Sequence, residues 1–181
     1  IYPYPLRGLK IEHPNQVWGV DITYIRLRSG WMYLFAVLDW YSRFVVSWTL
    51  DLTLEIGFVL EAMRSALTTA TPTICNSDQG SHFTSPQYIA LFQDTPVQIS
   101  MDGKGRALDN IFTERLWRTV KYEEVYLKDY ASPREARSGL SAYLDFYNHR
   151  RLHQALNYQT PASVYFNKGG FSTDHFPILL S

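Results

Sequence analysis

From Val17 to Leu50 the chain offers three extended segments with almost nothing between them, and this run limits its possible folds more than any other stretch. Between Val17 and Ile25 the residues alternate. Trp18, Val20, Ile22 and Tyr24 fall on one face, Gly19, Asp21 and Thr23 on the other. A period of two predicts a strand, and it sets Asp21 among small side chains. Trp31 to Leu38 is almost wholly apolar, as expected of a strand covered on both faces. Ser29-Gly30 supplies a turn before it, and Tyr41-Ser42-Arg43 a tight link to a third strand from Phe44 to Leu50. Links this short predict an antiparallel meander.

Helical and strand signals then alternate. Thr53 is placed to cap a helix running to about Leu67, with Phe58, Leu60, Ala62, Met63, Ala66 and Leu67 facing inward. Thr73 to Ser77 reads as a short fourth strand ending at Asp78. Ser85-Pro86 opens a short helix through Phe92, because proline suits the first helical position. Val97 to Ser100 reads as a fifth strand, and DGKGRA (102 to 107) as a mobile loop. Asp109 is placed to cap a helix to about Tyr122 whose core stripe is Leu108, Phe112, Leu116 and Val120. Ser132-Pro133-Arg134-Glu135 is a capping box opening a helix to about Tyr147, with Ala136, Leu140, Leu144 and Tyr147 on one side. Strands and helices mixed around one sheet make the class α/β, with a mixed five-stranded sheet flanked by helices.

Bulk properties narrow the function. The chain has 181 residues, 46% of them hydrophobic, enough for one domain with a sizeable core. Its formal net charge is 0, so no global field steers it to nucleic acid or membrane, and any nucleic-acid contact must come from local basic faces. A single cysteine, Cys75, rules out an internal disulfide and a cysteine-rich zinc module, and fits a reduced, intracellular setting. No apolar run approaches the ~18–20 residues of a membrane span, and no signal peptide is visible. The chain starts at Ile1, as expected of a trimmed or truncated piece of something longer. Residues 1–13, with Pro3 and Pro5, read as a linker; 14–166 as the domain, with a core to about 127 and a helical part over 128–166; and 167–181 as a tail.

Three carboxylates stand out by position. Asp21 is in mid-strand, Asp78 ends the fourth strand, and Glu114 lies about 200° around its helix from Phe112, away from the core stripe. Asn110, Trp117, Arg118 and Lys121 share its face. Taken singly, each acid has a plainer reading: a satisfied core group, a turn residue before glycine, a solvated helix residue. Three carboxylates meeting at one point would repel and need a cation to stay ionised. Oxygen-only ligands select hard ions such as Mg²⁺ or Mn²⁺. Two such ions about 3.5–4 Å apart suit phosphodiester chemistry.

Thirty-five residues separate Asp78 from Glu114. With that spacing, PNQVWGVDITYI (14 to 25), LDWYSRFVVSW (38 to 48), NSDQGSHFTS (76 to 85), ISMDGKGRALDNIFTERLWRTVKYEEVY (99 to 126) and FYNHRRLHQALNYQTPASVYF (146 to 166) resemble, in order, the catalytic domain of bacterial insertion-sequence transposases of the D,D-35-E type, relatives of retroviral integrases. The resemblance covers roughly residues 7 to 166. It implies a ribonuclease-H-like fold and a polynucleotidyl transferase that cleaves and joins DNA. It implies Asp21, Asp78 and Glu114 as the catalytic ligands of two Mg²⁺ (or Mn²⁺) ions. It implies Ser81 near target DNA, and Arg118 and Lys121, one and two turns beyond the glutamate, as phosphate contacts at the element end. His82, Asn110 and His153 are possible neighbours of the active site. Expected partners are element-end and target DNA and further copies of the chain, with neither membrane nor small-molecule substrate, in the bacterial cytoplasm with the nucleoid.

Other residues carry other readings. Asp39 with Arg43 reads as a structural polar contact. Trp31, Trp40, Trp48 and Trp117 read as core. His149 and His153 have the i, i+4 spacing of zinc helices, but HRRLH lacks the glutamate of H-E-x-x-H. The chain also departs from the family pattern. His82 stands where glutamine or asparagine is usual and would bring a pH-sensitive charge near Asp78. Residues 94 to 97, DTPV, replace a glycine-containing turn, and the helix-turn-helix region expected ahead of residue 1 is absent from the sequence. These departures leave a second reading, an inactive remnant acting only as a DNA-binding or assembly module. A glycosidase built on two carboxylates explains neither the 35-residue spacing nor the basic helix face.

Overall fold

The computed structural model describes residues 5–103, 110–167 and 178–179. A two-residue strand β1 (Lys10–Ile11) precedes the meander of β2 (Val17–Leu27), β3 (Gly30–Asp39) and β4 (Val45–Asp51). Then come α1 (Ile56–Thr69), β5 (Ile74–Ser77), α2 (Pro86–Ala90), β6 (Gln98–Met101) and α3 (Ile111–Val120). A π-helical turn (Lys121–Val125) and α4 (Tyr126–Lys128) prolong α3, and α5 (Pro133–His149) and α6 (Pro161–Phe166) follow. A last short strand, β7 (Ile178–Leu179), pairs antiparallel with β1.

The main sheet has the order β4-β3-β2-β5-β6. The meander is antiparallel and both later strands are parallel to their neighbours, so the five-stranded sheet is mixed as the sequence predicts. The alternation in β2 explains the two layers. Trp18 and Val20 join Phe35, Val37, Phe58, Met63 and Cys75 under α1 and α2. Val17, Ile25 and Leu27 join Leu34, Ala36, Phe112, Leu116, Leu140 and Leu144 under α3 and α5. Each such side chain, fully buried, contributes about 1.5–3 kcal/mol. Leu6 and Ile11, in the stretch read as a linker, are buried in the second of these layers. Gly19 lets α3 approach β2, because a Cβ there would collide with Trp40 Nε1 and the Thr113 hydroxyl.

Several local expectations differ from the structure. Helix α1 is capped at Glu55, not Thr53, because Asp51 Oδ1 takes both the N–H and the hydroxyl of Thr53 into a turn. Trp31 is 53% exposed, outside the core, at the far end of the β2–β3 hairpin. The 11 residues of β2 span ~36 Å and the 14 of α1 only ~21 Å, so the helix cannot cover that end. Asp39 is structural, but its carboxylate accepts from Ser42 (N–H 2.8 Å, hydroxyl 2.6 Å) and the Asn15 N–H, while the Arg43 guanidinium lies over the Phe112 ring at 3.7 Å. The loop over 104–107, Leu108 and the Asp109 cap lie outside the described residues.

Candidate active site

Strand pairing brings two acids level. In the parallel ladder Val17 faces Ile74 and Gly19 faces Asn76, and two further steps along each chain reach Asp21 and Asp78. Strand β5 stops at Ser77, so Asp78 leaves the sheet beside mid-β2, where the edge of β2 is bare of that partner. The Asp78 loop is built to turn. Asp78 Oδ1 accepts the Gly80 N–H at 2.8 Å, and the Gly80 carbonyl accepts from Phe83 and Thr84. A Cβ on Gly80 would sit 2.8 Å from Asp78 Oδ1, so only glycine leaves the carboxylate where it is. Below it, Asn76 donates to Asp102 and accepts from the Ser100 hydroxyl, tying β5 to β6.

Glu114 lies in the first turn of α3 and is exposed. Three residues on, Trp117 is 7% exposed, and its indole N–H donates to Asp21 Oδ2 at 2.8 Å. The other oxygen, Asp21 Oδ1, accepts the Ile22 N–H at 2.8 Å. Burial pushes the Asp21 carboxyl up to about 6; the two N–H donors pull it down, and the charges of Asp78 and Glu114 push it further up. Asp78 and Glu114 therefore each lie within electrostatic reach of Asp21. Lys121 is drawn in as well: burial lowers its ammonium and the Asp21 charge raises it. Among the described residues, no three His, Cys, Asp or Glu side chains stand close enough together to form a closed ion cage as they are. The donor set still suits a hard cation: carboxylate oxygens only, one acid half-buried and two exposed, with no ion pair to any of the three among the described residues.

The remaining candidates are spread more widely. Ser81 is exposed in the Asp78 loop. Arg118 is exposed, its guanidinium 5.9 Å from the Tyr122 ring centre. Asn110 is the N-cap residue of α3 without a side-chain capping bond, and its Oδ1 is buried with no hydrogen-bond partner among the described residues. His82 points to the loop before α1, its Nε2–H donating to the Leu54 carbonyl at 2.7 Å. His149 lies 3.9 Å from Asp145, whereas His153 packs edge-on against Tyr147 beside Arg151, so the two imidazoles do not converge.

Sequence reasoning missed two features. The Trp117–Asp21 bond was within reach, since helix geometry puts Trp117 on the Glu114 face; reading it as core hid it. The clamp on Glu123 was not. Glu123 accepts two bonds from Arg151 (2.6 and 2.8 Å) and one from the Tyr143 hydroxyl (2.6 Å). The π turn gives the next residue, Glu124, its own partner, the Tyr130 hydroxyl at 2.7 Å.

The family described as integrase core domain matches this sequence over residues 11–107, and a second family of the same description matches over 95–161. The chain belongs to the integrase core domain family. This core is 31% identical over 156 residues to the transposase for insertion sequence element IS904 of Lactococcus lactis, covering 84% of the chain and 62% of that protein. It is 29% identical over 160 residues to the transposase for IS629 of Shigella sonnei, covering 87% and 54%. The chain thus spans little more than half the length of these curated relatives. Among solved structures it resembles the HTLV-2 integrase catalytic core domain in complex with magnesium (TM-score 0.68, 19% identity, 88% of this chain and 99% of that one). It also resembles a chain of the simian T-cell lymphotropic virus intasome (TM-score 0.74, 20% identity, 92% and 60%). The fold of this integrase core is ribonuclease-H-like α/β. No helix among its described residues is long and apolar enough to cross a membrane.

Proposed function

We propose that the chain is the catalytic core of an insertion-sequence transposase, cleaving DNA at the element ends and joining the freed ends to a target. The observation that supports this reading is that Asp21, on a strand, feels the charges of Asp78 at a strand end and Glu114 on a helix, in a chain of the integrase core family. The three carboxylates are the ligands for divalent cations, Mg²⁺ or Mn²⁺, two being the number that fits phosphoryl transfer. When bound, such ions supply an activated oxygen nucleophile and neutralise the leaving oxygen. The residues do the rest. Gly80 fixes the Asp78 carboxylate at the strand end, and exposed Asp78 and Glu114 close on buried Asp21. Arg118 and Lys121, on the Glu114 helix, hold phosphates of the element end, and Ser81 borders the target strand. His82, bonded to Leu54, shapes the Asp78 loop; Asn110 starts the Glu114 helix; and His153 supports that helix from behind.

Partners are DNA and further copies of the chain, in a bacterial cytoplasm with the nucleoid. The relevant unit is 14–166, with helices α5 and α6 as buttress. An intact acid set, with the Gly80 turn in place, speaks for an active core over a remnant. The test is cleavage and joining of labelled duplexes carrying the element's terminal sequences, with Mg²⁺ or Mn²⁺. Products from the parent and none from Asp78→Asn are expected; equal products from both would refute the assignment.

A further inference from the structure

We propose that Trp117 is a positioning residue. Its indole N–H fixes the Asp21 carboxylate in the orientation that receives a divalent cation, and locks the first acid to the helix that carries the third. This rests on the metal-dependent reading above and goes further in naming how that site is pre-set.

The geometry is specific. Trp117 is nearly fully buried, so its ring has one place to lie, and its single donor ends on Asp21 Oδ2 at 2.8 Å. Indole is a donor only, so it binds the carboxylate without competing for a cation. A carboxylate oxygen has two lone-pair sites. Oδ2 spends one on Trp117 and Oδ1 one on the Ile22 N–H, which leaves one on each oxygen. The carboxylate plane is thus held at both corners while both oxygens can still act as ligands. The donor is also neutral. An arginine there would cancel the charge that a cation must meet; the indole orients it and leaves it in place.

Position along the helix adds a second effect. Trp117 follows Glu114 by three residues, on the same side of α3. A shift of α3 that carries Glu114 also carries the indole, and with it the Asp21 side chain. The alternative is that Trp117 only fills the core against Leu116 and Val120. The two accounts differ in what the N–H does, since Trp117→Phe keeps an aromatic ring and loses the donor. Hydrogen-bond partners that orient metal ligands are worth about 10–100-fold in metal affinity.

The experiment is Mn²⁺ binding by calorimetry to the parent, Asp78→Asn and Trp117→Phe. It is paired with ¹⁵N–¹H spectra of the tryptophan indoles during Mg²⁺ titration of the parent. Expected are weaker binding in Asp78→Asn, a 10–100-fold weaker affinity in Trp117→Phe, and strand-cleavage rates in that variant that recover at saturating metal. The Trp117 indole resonance should shift with Mg²⁺ and in Asp21→Asn, while exposed Trp31 stays still. Parent-like affinity in Trp117→Phe, with Asp78→Asn impaired, overturns the positioning role and spares the metal reading. Equal binding in parent and Asp78→Asn overturns the metal reading and this inference with it. Should Trp117→Phe fail to fold, the parent spectra decide alone: a Trp117 indole indifferent to Mg²⁺ and to Asp21→Asn refutes the proposal.

Discussion

One continuous helical stretch carries two glutamates with opposite fates. Glu123 is met by the Arg151 guanidinium and the Tyr143 hydroxyl, and these hold its carboxyl below the usual range, the Arg151 bonds most of all. Glu114, a few turns earlier, adds its charge with that of Asp78 to the burial that holds Asp21 up at about 6. One end of the stretch is met by the protein's own cation in an ion pair; the other gathers negative charge around Asp21 with no ion pair to the three acids among the described residues. The difference supports the proposal that Glu114, Asp78 and Asp21 together serve a divalent cation.

The sharpest way to break this contrast is to exchange the two glutamates' amides. Glu114→Gln should lower metal-dependent strand cleavage by at least about 10³-fold, the scale of several kcal/mol of lost transition-state stabilisation. Because Glu114 is exposed, metal-free stability should stay within about 0.5 kcal/mol of the parent. Cleavage assays and urea melts of Glu123→Gln should show the reverse: stability falls and the rate per folded molecule holds. A stability loss in Glu114→Gln as large as in Glu123→Gln would erase the distinction. Next in size is Gly80→Ala. Its methyl would press on Asp78 Oδ1 and displace the carboxylate by a fraction of an ångström to an ångström, a misplacement worth about 10–100-fold in rate with little change in melting temperature.

The halves of this contrast were unequally legible in sequence. The strand meander could be read because period-two alternation and short links are local patterns; the three acids, each with a plainer reading alone, came only from the 35-residue spacing and the resemblance it carries. Asp21 and Asp78 lie 57 positions apart, and the parallel ladder of three residue pairs that sets them level joins strands whose pairing no local pattern gives. The Glu123 clamp joins residues 28 apart through a π turn, and no local pattern announces a π turn. Thr53 misled because a good capping residue was claimed by Asp51 before the helix began. Trp31 misled because an apolar run says nothing of how far the covering helix extends.

The clamp itself gives a third, smaller effect. Arg151→Met keeps much of the stem and removes both bonds to Glu123. The pair is partly solvated, at 25% and 39% side-chain exposure, so the loss should be about 1–2 kcal/mol in a denaturant melt, short of the cost of a fully buried pair. An unchanged midpoint would reduce the clamp to a surface contact.

The smallest effect is a pH slope, and it comes from the clamp's neighbour. His153 is held down at about 4, by burial first, then by the Arg151 and Arg43 charges, with Glu123 opposing and the Tyr147 ring packed against it. In the unfolded chain the same imidazole takes its proton near 6.5. The unfolded state therefore binds more protons between those values, and stability must fall as pH falls through that window. Glu123 acts in the same direction but only at lower pH, since its carboxyl is held below 4.5. The interval from about pH 6.5 to 5 lies above the Glu123 range and is left to His153 and Asp21. Midpoints measured across it should rise on acidification in His153→Gln relative to the parent, because the variant loses the His153 contribution and keeps that of Asp21. The candidate site acts with the opposite sign, because Asp21 raised to about 6 lets the folded state bind the extra proton and gain stability as pH falls from 6. The two ends of the helix thus oppose each other across the same pH range, and a parent slope that steepens in Asp21→Asn would separate them.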